Sequence, residues 1–267
     1  MSTNILAKIV ESKFGEVADR KMQISTKQLE AMPLFAKKCL SLKANLLDRS
    51  KTGIIAEFKR QSPSKGMINA VADVNEVTKA YSDFGAAGVS VLTDGPYFGG
   101  SLADLSIAIQ NPIPVLRKEF IIDEFQLIEA KAFGASVILL IAACLTPTET
   151  HSLAKFAKSL GLEVLLEIHD ATELGHISEA VDFVGINNRS LKSFEVNIEH
   201  SLELKHQLPK GILSIAESGI YSVETFKLLK KEGFDGFLMG EYFMKQANPA
   251  AAFEAFVTSI KSDKDAI

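Results

Sequence analysis

Apolar residues recur along this chain in short runs that follow a helical N-terminal stretch. From Asn4 to about Asp48 the apolar positions have helical spacing among many Lys and Glu residues. Eight β-rich apolar segments follow, at residues 53–58, 88–93, 113–117, 136–141, 163–168, 183–187, 212–216 and 236–239. The pattern therefore predicts a helical segment of about 50 residues and then eight strands.

Amphipathic stretches with helical spacing separate these strands, for example at residues 73–84, 123–133, 148–160 and 223–232. Apolar strands that alternate with helices indicate a parallel sheet covered by helices, and eight such units close a barrel. We therefore predict an α/β fold, a (β/α)8 TIM barrel that forms a single domain over residues 1–267, of which about 1–50 is an N-terminal helical extension. A doubly wound open sheet is the alternative. Against it, the first βα turn, SPSKG, lacks the glycine-rich dinucleotide fingerprint, and the chain has no Walker sequence.

Composition limits the classes of partner. A formal net charge of -4 gives no broad positive field, so no nucleic-acid partner is expected. The longest apolar run, residues 135–145, is much shorter than the roughly 20 residues that span a bilayer, and the N-terminus has no apolar signal-peptide core. Cys39 and Cys144 are far apart, as suits reduced thiols. These features favour a cytoplasmic protein without a membrane partner. We expect a monomer or a weak homo-oligomer, although no feature of the sequence determines the oligomeric state.

Charged residues interrupt the predicted strand ends, where a barrel builds its active site. Glu57 and Lys59 are two apart and face the same side, although an exposed salt bridge would also explain them. Lys118 ends the third strand. Glu167 lies inside an apolar run, and because an unpaired buried carboxylate is costly, we expect a lysine partner from a neighbouring strand. A purely structural pair stays open, and His169 is expected to be a satisfied strand-end histidine.

Glycines follow the seventh and eighth strands. Gly219 comes after AES and Gly240 after FLM, at the two places where barrels commonly bind phosphate. Without a Cβ, backbone N–H groups there can approach an anion closely, although plain turn glycines are the alternative. No His, Cys and carboxylate cluster has metal-ligand spacing, so no metal is predicted.

Six motifs together resemble one family. IAEFKRQSPSKG, PVLRKEFIIDEFQ, LEVLLEIH, GINNRSL, AESGI and FLMGE follow one another as in indole-3-glycerol-phosphate synthases, and the resemblance covers the whole chain. It implies a helical extension that packs near the barrel mouth and helps cover the substrate, and no metal or organic cofactor. Two positions depart from the family: Glu119 where Asp is usual, and Tyr242 where Ser is frequent.

The resemblance also implies a reaction in tryptophan biosynthesis. The substrate, 1-(2-carboxyphenylamino)-1-deoxyribulose 5-phosphate, would close a ring onto its ketone, lose carbon dioxide and then lose water to give indole-3-glycerol phosphate. Lys118 matches the general acid at the ketone. Glu167, Glu57 and Lys59 are available for the dehydration, and the sequence leaves the division of work among them open.

The remaining matched positions are expected to bind the phosphorylated substrate: Ser62, Asn187, Arg189, Glu217, Ser218, Gly219, Gly240 and Glu241. Two rival functions share these features, another phosphate-binding TIM-barrel isomerase or aldolase and a non-enzymatic barrel that binds a phosphorylated ligand. Four ionisable groups at one barrel mouth favour catalysis over binding alone.

Overall fold

The computed structural model describes residues 5–189 and 195–262. Eight parallel strands form a closed barrel in the order β1-β10-β9-β8-β7-β6-β5-β4. These strands are β1 (Ile54–Phe58), β4 (Gly88–Leu92), β5 (Val115–Lys118), β6 (Val137–Ile141), β7 (Glu163–Ile168), β8 (Phe183–Asn187), β9 (Leu213–Glu217) and β10 (Gly236–Met239). The TIM-barrel prediction is confirmed, and each strand lies within two residues of its predicted bounds.

Helices cover the outside of the barrel. They are α4 (Val74–Asp83), α5 (Leu102–Ala108), α6 (Glu124–Ala132), α7 (Pro147–Ser159), α8 (Ile198–Lys205), α9 (Val223–Lys231), α10 (Glu241–Met244) and α11 (Pro249–Ser262). The expectation that a helix follows every strand needs one correction. The connection after β7 forms a 3-10 helix, Ala171–His176, in place of an α-helix. Gly175 lies in this segment, and glycine costs about 1 kcal/mol relative to alanine in a helix interior.

The N-terminal extension contacts both ends of the barrel. It contains α1 (Ile5–Gln23), α2 (Thr26–Glu30) and α3 (Leu42–Leu47). α1 reaches the C-terminal mouth, as the resemblance implies, but α3 packs at the opposite end. A Cβ on Gly88 would lie 2.8 Å from Leu42 Cδ1, and one on Gly236 would lie 3.1 Å from Leu46 Cδ2. Since both glycines begin their strands, α3 closes the bottom of the barrel.

Buried apolar side chains fill the barrel above this plug. They are aliphatic and aromatic residues of the barrel strands: Ile55, Leu116, Val137, Leu139, Leu165, Phe183, Ile215 and Leu238. The charged residues at the strand ends therefore lie on top of an apolar core. A short antiparallel hairpin, β2 (Gln61–Ser62) with β3 (Gly66–Met67), stands beyond the end of β1 and forms part of the rim.

Candidate active site

One cavity of about 180 Å³, open to solvent, lies at the C-terminal mouth of the barrel. All of the residues assigned to the site from sequence line it: Glu57, Lys59, Ser62, Lys118, Glu167, Asn187, Arg189, Glu217, Ser218, Gly219, Gly240 and Glu241. The expected convergence of the four acid and base groups on one mouth is therefore observed.

Lys118 lies at the centre of the charged groups. Its Nζ donates to Glu167 Oε2 at 2.8 Å and contacts Glu217 Oε2 at 3.3 Å. The lysine partner expected for Glu167 is therefore present, but it comes from the next strand but one, because β6 separates β5 from β7. Glu217, expected only to orient substrate, belongs to the same ionic cluster.

These charges share a single interior layer. Glu57, Lys118, Glu167 and Glu217 lie on the first, third, fifth and seventh barrel strands. Alternate strands fill one layer of a TIM barrel, so the four side chains meet across the axis. A Cβ on Gly185 would lie 1.9 Å from Glu217 Oε1, and the absence of a side chain at Gly185 therefore makes room for that carboxylate.

The two central carboxyl groups are driven to opposite protonation states. Burial alone raises the pKa of Glu167, but Lys118 and His169, with hydrogen bonds from Lys118 and Asn187, outweigh it and bring the pKa to about 2. Burial raises the pKa of Glu217 to about 8, against the charge of Lys118 and with the help of Glu167. Glu167 is thus ionised and Glu217 protonated at neutral pH.

Lys118 remains an ammonium ion in this cluster. Burial alone lowers its pKa, but the carboxylates of Glu167, Glu217 and Glu57 raise it above the ordinary lysine value. Its side chain is 14% exposed, so it can reach a molecule in the cavity.

Glu57 and Lys59 form the pair that the sequence predicts. Lys59 Nζ lies 2.6 Å from Glu57 Oε1, at the rim of the central layer. A Cβ on Gly240 would lie 2.8 Å from both Glu57 Cβ and Glu57 Oε1. The close approach that requires glycine at Gly240 is therefore made by the protein's own carboxylate, which the phosphate hypothesis did not anticipate.

His169 lies behind Glu167, and the expectation of a satisfied histidine is wrong. Its Nε2 is 3.4 Å from Glu167 Oε1 and its Nδ1 is 3.7 Å from Glu173 Oε2. Neither ring nitrogen makes a hydrogen bond with good geometry. Burial alone lowers the pKa of His169, but Glu173, Glu167 and Glu217 raise it above the ordinary histidine value. The neighbouring carboxylates therefore favour the protonated form of the ring.

The sixth, seventh and eighth strand ends carry the remaining polar groups. Arg189 NH2 donates to Glu241 Oε2 at 3.0 Å and to the Tyr221 hydroxyl at 2.7 Å. Asn187 Nδ2 donates to Glu167 Oε1 at 3.0 Å. Arg189 is therefore already held by a carboxylate that a bound anion would have to displace.

Two successive residues of the loop after β9 have a left-handed backbone. Ser218 and Gly219 both have positive φ, at 64° and 75°. Both line the cavity, so their backbone N–H groups are candidates for binding an anion. A Cβ on Gly219 would also lie 2.4 Å from Val196 Cγ1, so that glycine makes room for a neighbouring loop as well.

Sequence reasoning missed the apolar wall of the cavity. Ile5, Leu6 and Ile9 of α1 face Phe98 and Phe120 there, and the two aromatic rings are 5.9 Å apart. Their only signal in the sequence was apolar character in loops and in an amphipathic helix, which core residues share. Among residues 5–189 and 195–262, no helix is both long and apolar enough to cross a membrane, and His, Cys, Asp and Glu form no group suited to hold a metal.

A sequence model of a known family, described as "Indole-3-glycerol phosphate synthase", matches residues 6–256. Relatives with that name include one from Bacteroides thetaiotaomicron, 45% identical over 97% of this chain and 99% of its own length. Others come from Koribacter versatilis, 41% identical over 96% and 100%, and from Acinetobacter baumannii, 38% identical over 96% of each chain.

Solved structures with low sequence identity share the fold. An N-acetylmannosamine-6-phosphate 2-epimerase from Clostridium perfringens has a TM-score of 0.59 at 14% identity, over 83% of this chain and 96% of its own. An orotidine 5'-phosphate decarboxylase from Pyrococcus horikoshii has a TM-score of 0.56 at 14% identity, over 78% and 99%. At this identity the likeness concerns the barrel fold alone.

We predict that Glu217 carries a proton at pH 7 and loses it as the pH rises through about 8. Infrared difference spectra should show a protonated carboxyl band that decays over this range and is absent in Glu217→Gln. Because the folded-state pKa is raised, the stability that depends on this proton is full below about pH 4.5 and is lost as the pH rises through about 8. A band that is unchanged in Glu217→Gln would contradict the assignment.

Proposed function

The chain belongs to the indole-3-glycerol phosphate synthase family, and from this premise we propose how its residues carry out the reaction. The enzyme is a carboxy-lyase of tryptophan biosynthesis. We propose that its substrate is 1-(2-carboxyphenylamino)-1-deoxyribulose 5-phosphate. The observation that best supports the proposal is the buried cluster of Lys118, Glu167 and Glu217, which places an ammonium, an ionised carboxylate and a protonated carboxyl group within one layer.

Lys118 serves as the general acid of ring closure. The aryl carbon that bears the carboxylate attacks the ketone carbon, a carbon–carbon bond forms, and the ketone oxygen takes the electron pair. The Lys118 ammonium stabilises and protonates that developing alkoxide. The bond to the carboxylate carbon then breaks, carbon dioxide leaves, and its electron pair restores the aromatic ring.

Glu167 serves as the base of the dehydration that follows. In the free site its basicity is low because Lys118 holds its pKa at about 2. Once Lys118 has given its proton to the substrate, that positive charge is gone and the carboxylate becomes more basic. The first step therefore prepares the base for the second. Glu167 removes a ring proton, and the hydroxyl leaves as water with a proton from Lys59 or from Glu217.

Glu57 and Lys59 have linked roles in this scheme. Glu57 Oε1, 2.6 Å from Lys59 Nζ, fixes the ammonium at the rim, where it faces the substrate's leaving hydroxyl or carboxylate. Ser62, Asn187 and Arg189 orient the hydroxyl and carboxylate groups. The substrate's phosphate is held by backbone N–H groups near Ser218, Gly219, Gly240 and Glu241.

The same proposal covers the organisation of the chain. We take residues 1–267 as one domain with residues 1–50 as the extension, acting in the cytoplasm as a monomer or a weak homo-oligomer. Neither a metal nor an organic cofactor is needed by the steps above. A phosphorylated small molecule is the expected partner, and nucleic acid is not.

The rival enzyme classes fit the site less well. A Schiff-base aldolase needs a neutral lysine amine as nucleophile, but the ion pairs of Lys118 keep it protonated. Borohydride reduction with substrate should therefore trap no covalent adduct. A barrel that only binds a phosphorylated ligand has no need for two carboxyl groups held in opposite protonation states.

Lys118→Ala should fold and lose at least about 100-fold in kcat, the lower range for a positioned acid. The kcat is measured from the rate of indole formation, which ultraviolet absorbance monitors. Lys79→Ala is the matched control, because Lys79 forms an exposed ion pair with Asp83 on α4 and should leave kcat unchanged. Near-normal turnover in Lys118→Ala would end the assignment.

Gly185→Ala should lower kcat by about 100-fold, the scale for a displacement of about 1 Å in an active site. The added Cβ would overlap Glu217 Oε1 and push that carboxyl group away from Lys118. Gly175→Ala is the control, since a Cβ there meets nothing within 4 Å. Equal kinetics for the two variants would contradict the role of Glu217.

Gly219→Ala should raise KM about tenfold and lower kcat less, because phosphate lies away from the bonds being made and contributes mainly uniform binding. Gly211→Ala is matched in backbone strain, with φ of 89°, but has open space around its Cβ. Gly211→Ala should lower the free energy of unfolding and leave KM unchanged. A Gly219→Ala enzyme with the parent KM would exclude this phosphate site.

A further inference from the structure

Lys13 is a buried lysine on the helix that covers the cavity. The buried face of α1 consists of Leu6, Ile9, Lys13 and Val17. Helical spacing reserves such positions for apolar residues. The Lys13 side chain keeps only 3% of its exposure, so its charge must be compensated inside the protein.

Three carboxylates surround the Lys13 ammonium. Its Nζ lies 2.7 Å from Asp94 Oδ2, 2.7 Å from Glu16 Oε2 and 3.1 Å from Glu119 Oε1. Asp94 follows β4 and Glu119 follows β5, and both side chains are almost fully buried. Burial alone lowers the pKa of Lys13, but Glu119, Asp94 and Glu16 raise it above the ordinary lysine value. The ammonium therefore joins α1 to two strand ends.

The two buried carboxylates also shape the cavity wall. Asp94 Oδ1 accepts the backbone N–H groups of Tyr97 and Phe98, at 2.7 and 3.1 Å. Glu119 Oε1 accepts the N–H of Phe120 at 2.9 Å. Phe98 and Phe120 line the same cavity as the first turns of α1. Three segments that form one wall thus meet at a single cation.

We propose that Lys13 is a positioning residue for substrate binding, which holds the apolar wall of the cavity in the shape that accepts the substrate. Without the ammonium, Asp94 would lose the one cation that it contacts among the described residues, and Glu119 would keep Arg117, whose NH2 lies 3.8 Å from its Oε2. Repulsion between the two carboxylates would then part α1 from the strand ends. The proposal rests on the proposed function only for the identity of the ligand, a sugar phosphate that carries an arylamino group.

Glu119 links the apolar wall to the central site. Its Oε1 lies 3.1 Å from Lys13 Nζ, and its Oε2 accepts a hydrogen bond from the Thr93 hydroxyl at 2.7 Å. Because Glu119 directly follows Lys118, the wall and the general acid are joined by one peptide bond.

The other ion pairs of α1 anchor a different part of the helix. Arg20 NH2 lies 2.7 Å from Glu129 Oε1, and Lys21 Nζ lies 2.7 Å from Asp123 Oδ2. Both tie the C-terminal half of α1 to the outside of the barrel around α6. Lys13 lies in the N-terminal half of α1, close to the residues that line the cavity. Loss of the Lys13 ammonium should therefore affect substrate binding more than the packing of α1 on the barrel.

The test compares Lys13→Met with Lys21→Met, which removes an exposed ion pair from the same helix. With parent-like circular dichroism, Lys13→Met should raise KM about tenfold and change kcat less than about threefold, whereas Lys21→Met should change neither. As the pH is lowered from 8 to 6, the ratio of the Lys13→Met KM to the parent KM should decrease. The reason is that buried carboxylates without a cation take up a proton more readily, which removes their mutual repulsion. A purely structural role would give a ratio independent of pH.

A second substitution separates charge from packing. In Lys13→Met/Asp94→Asn one carboxylate is neutral and the amide oxygen can still accept the Phe98 N–H, so most of the KM increase should be reversed. If Lys13→Met does not fold, Lys13→Gln takes its place with the same expected KM and pH ratio. An unchanged KM, an equal effect of Lys21→Met, or a double variant no better than the single one would overturn the proposal. If the parent enzyme itself forms no indole product, the proposed function fails instead.

Discussion

The sharing of the Lys118 ammonium by two buried carboxyl groups is the interaction on which this site depends. Two carboxylates buried this close together repel each other, and burial adds to the cost of the second negative charge, so a proton stays on Glu217. Glu167 receives donors from Lys118 and Asn187 and remains ionised, whereas Glu217 has Lys118 at a longer distance and an Oε1 atom without a partner. Acid and base are thereby separated by environment before substrate arrives.

The barrel provides this arrangement through its layered interior. An apolar layer lies directly below the charges and is closed underneath by Leu42 and Leu46 of α3. Interactions between charges are stronger where water is excluded, so the packing of the extension at the bottom of the barrel contributes to the electrostatics at the top. The alternation of side chains along β5 separates two tasks: Lys118 points into the cavity, and Arg117 points outward to Glu129 of α6.

The sequence predicts the fold and the membership of the site better than its internal geometry. Strand bounds follow from local apolar runs, and Glu57 with Lys59 follows from the period of a strand. The contact between Lys118 and Glu217 joins residues 99 positions apart, and no local pattern encodes it. Glycine occurs in turns, at anion sites and wherever a side chain must approach the backbone closely. The sequence pattern therefore could not reveal that Gly185 and Gly240 make room for carboxyl groups. In the sequence, Lys13 cannot be distinguished from a solvent-exposed lysine, because two of the three carboxylates that surround it come from distant segments of the chain.

The cations of the mouth meet the substrate already paired, and this pairing bears on both binding and release. Lys59 lies on Glu57, Lys118 on Glu167, and Arg189 on Glu241. In the proposed scheme, the carboxylate of the substrate replaces one of these internal partners, whereas a neutral analogue cannot, so charge itself selects the ligand. Decarboxylation would then remove this anionic group from the bound molecule. The cation that held it would be left without a partner until its own carboxylate returned. In this scheme the chemical step weakens product binding through the same interaction that favours substrate binding.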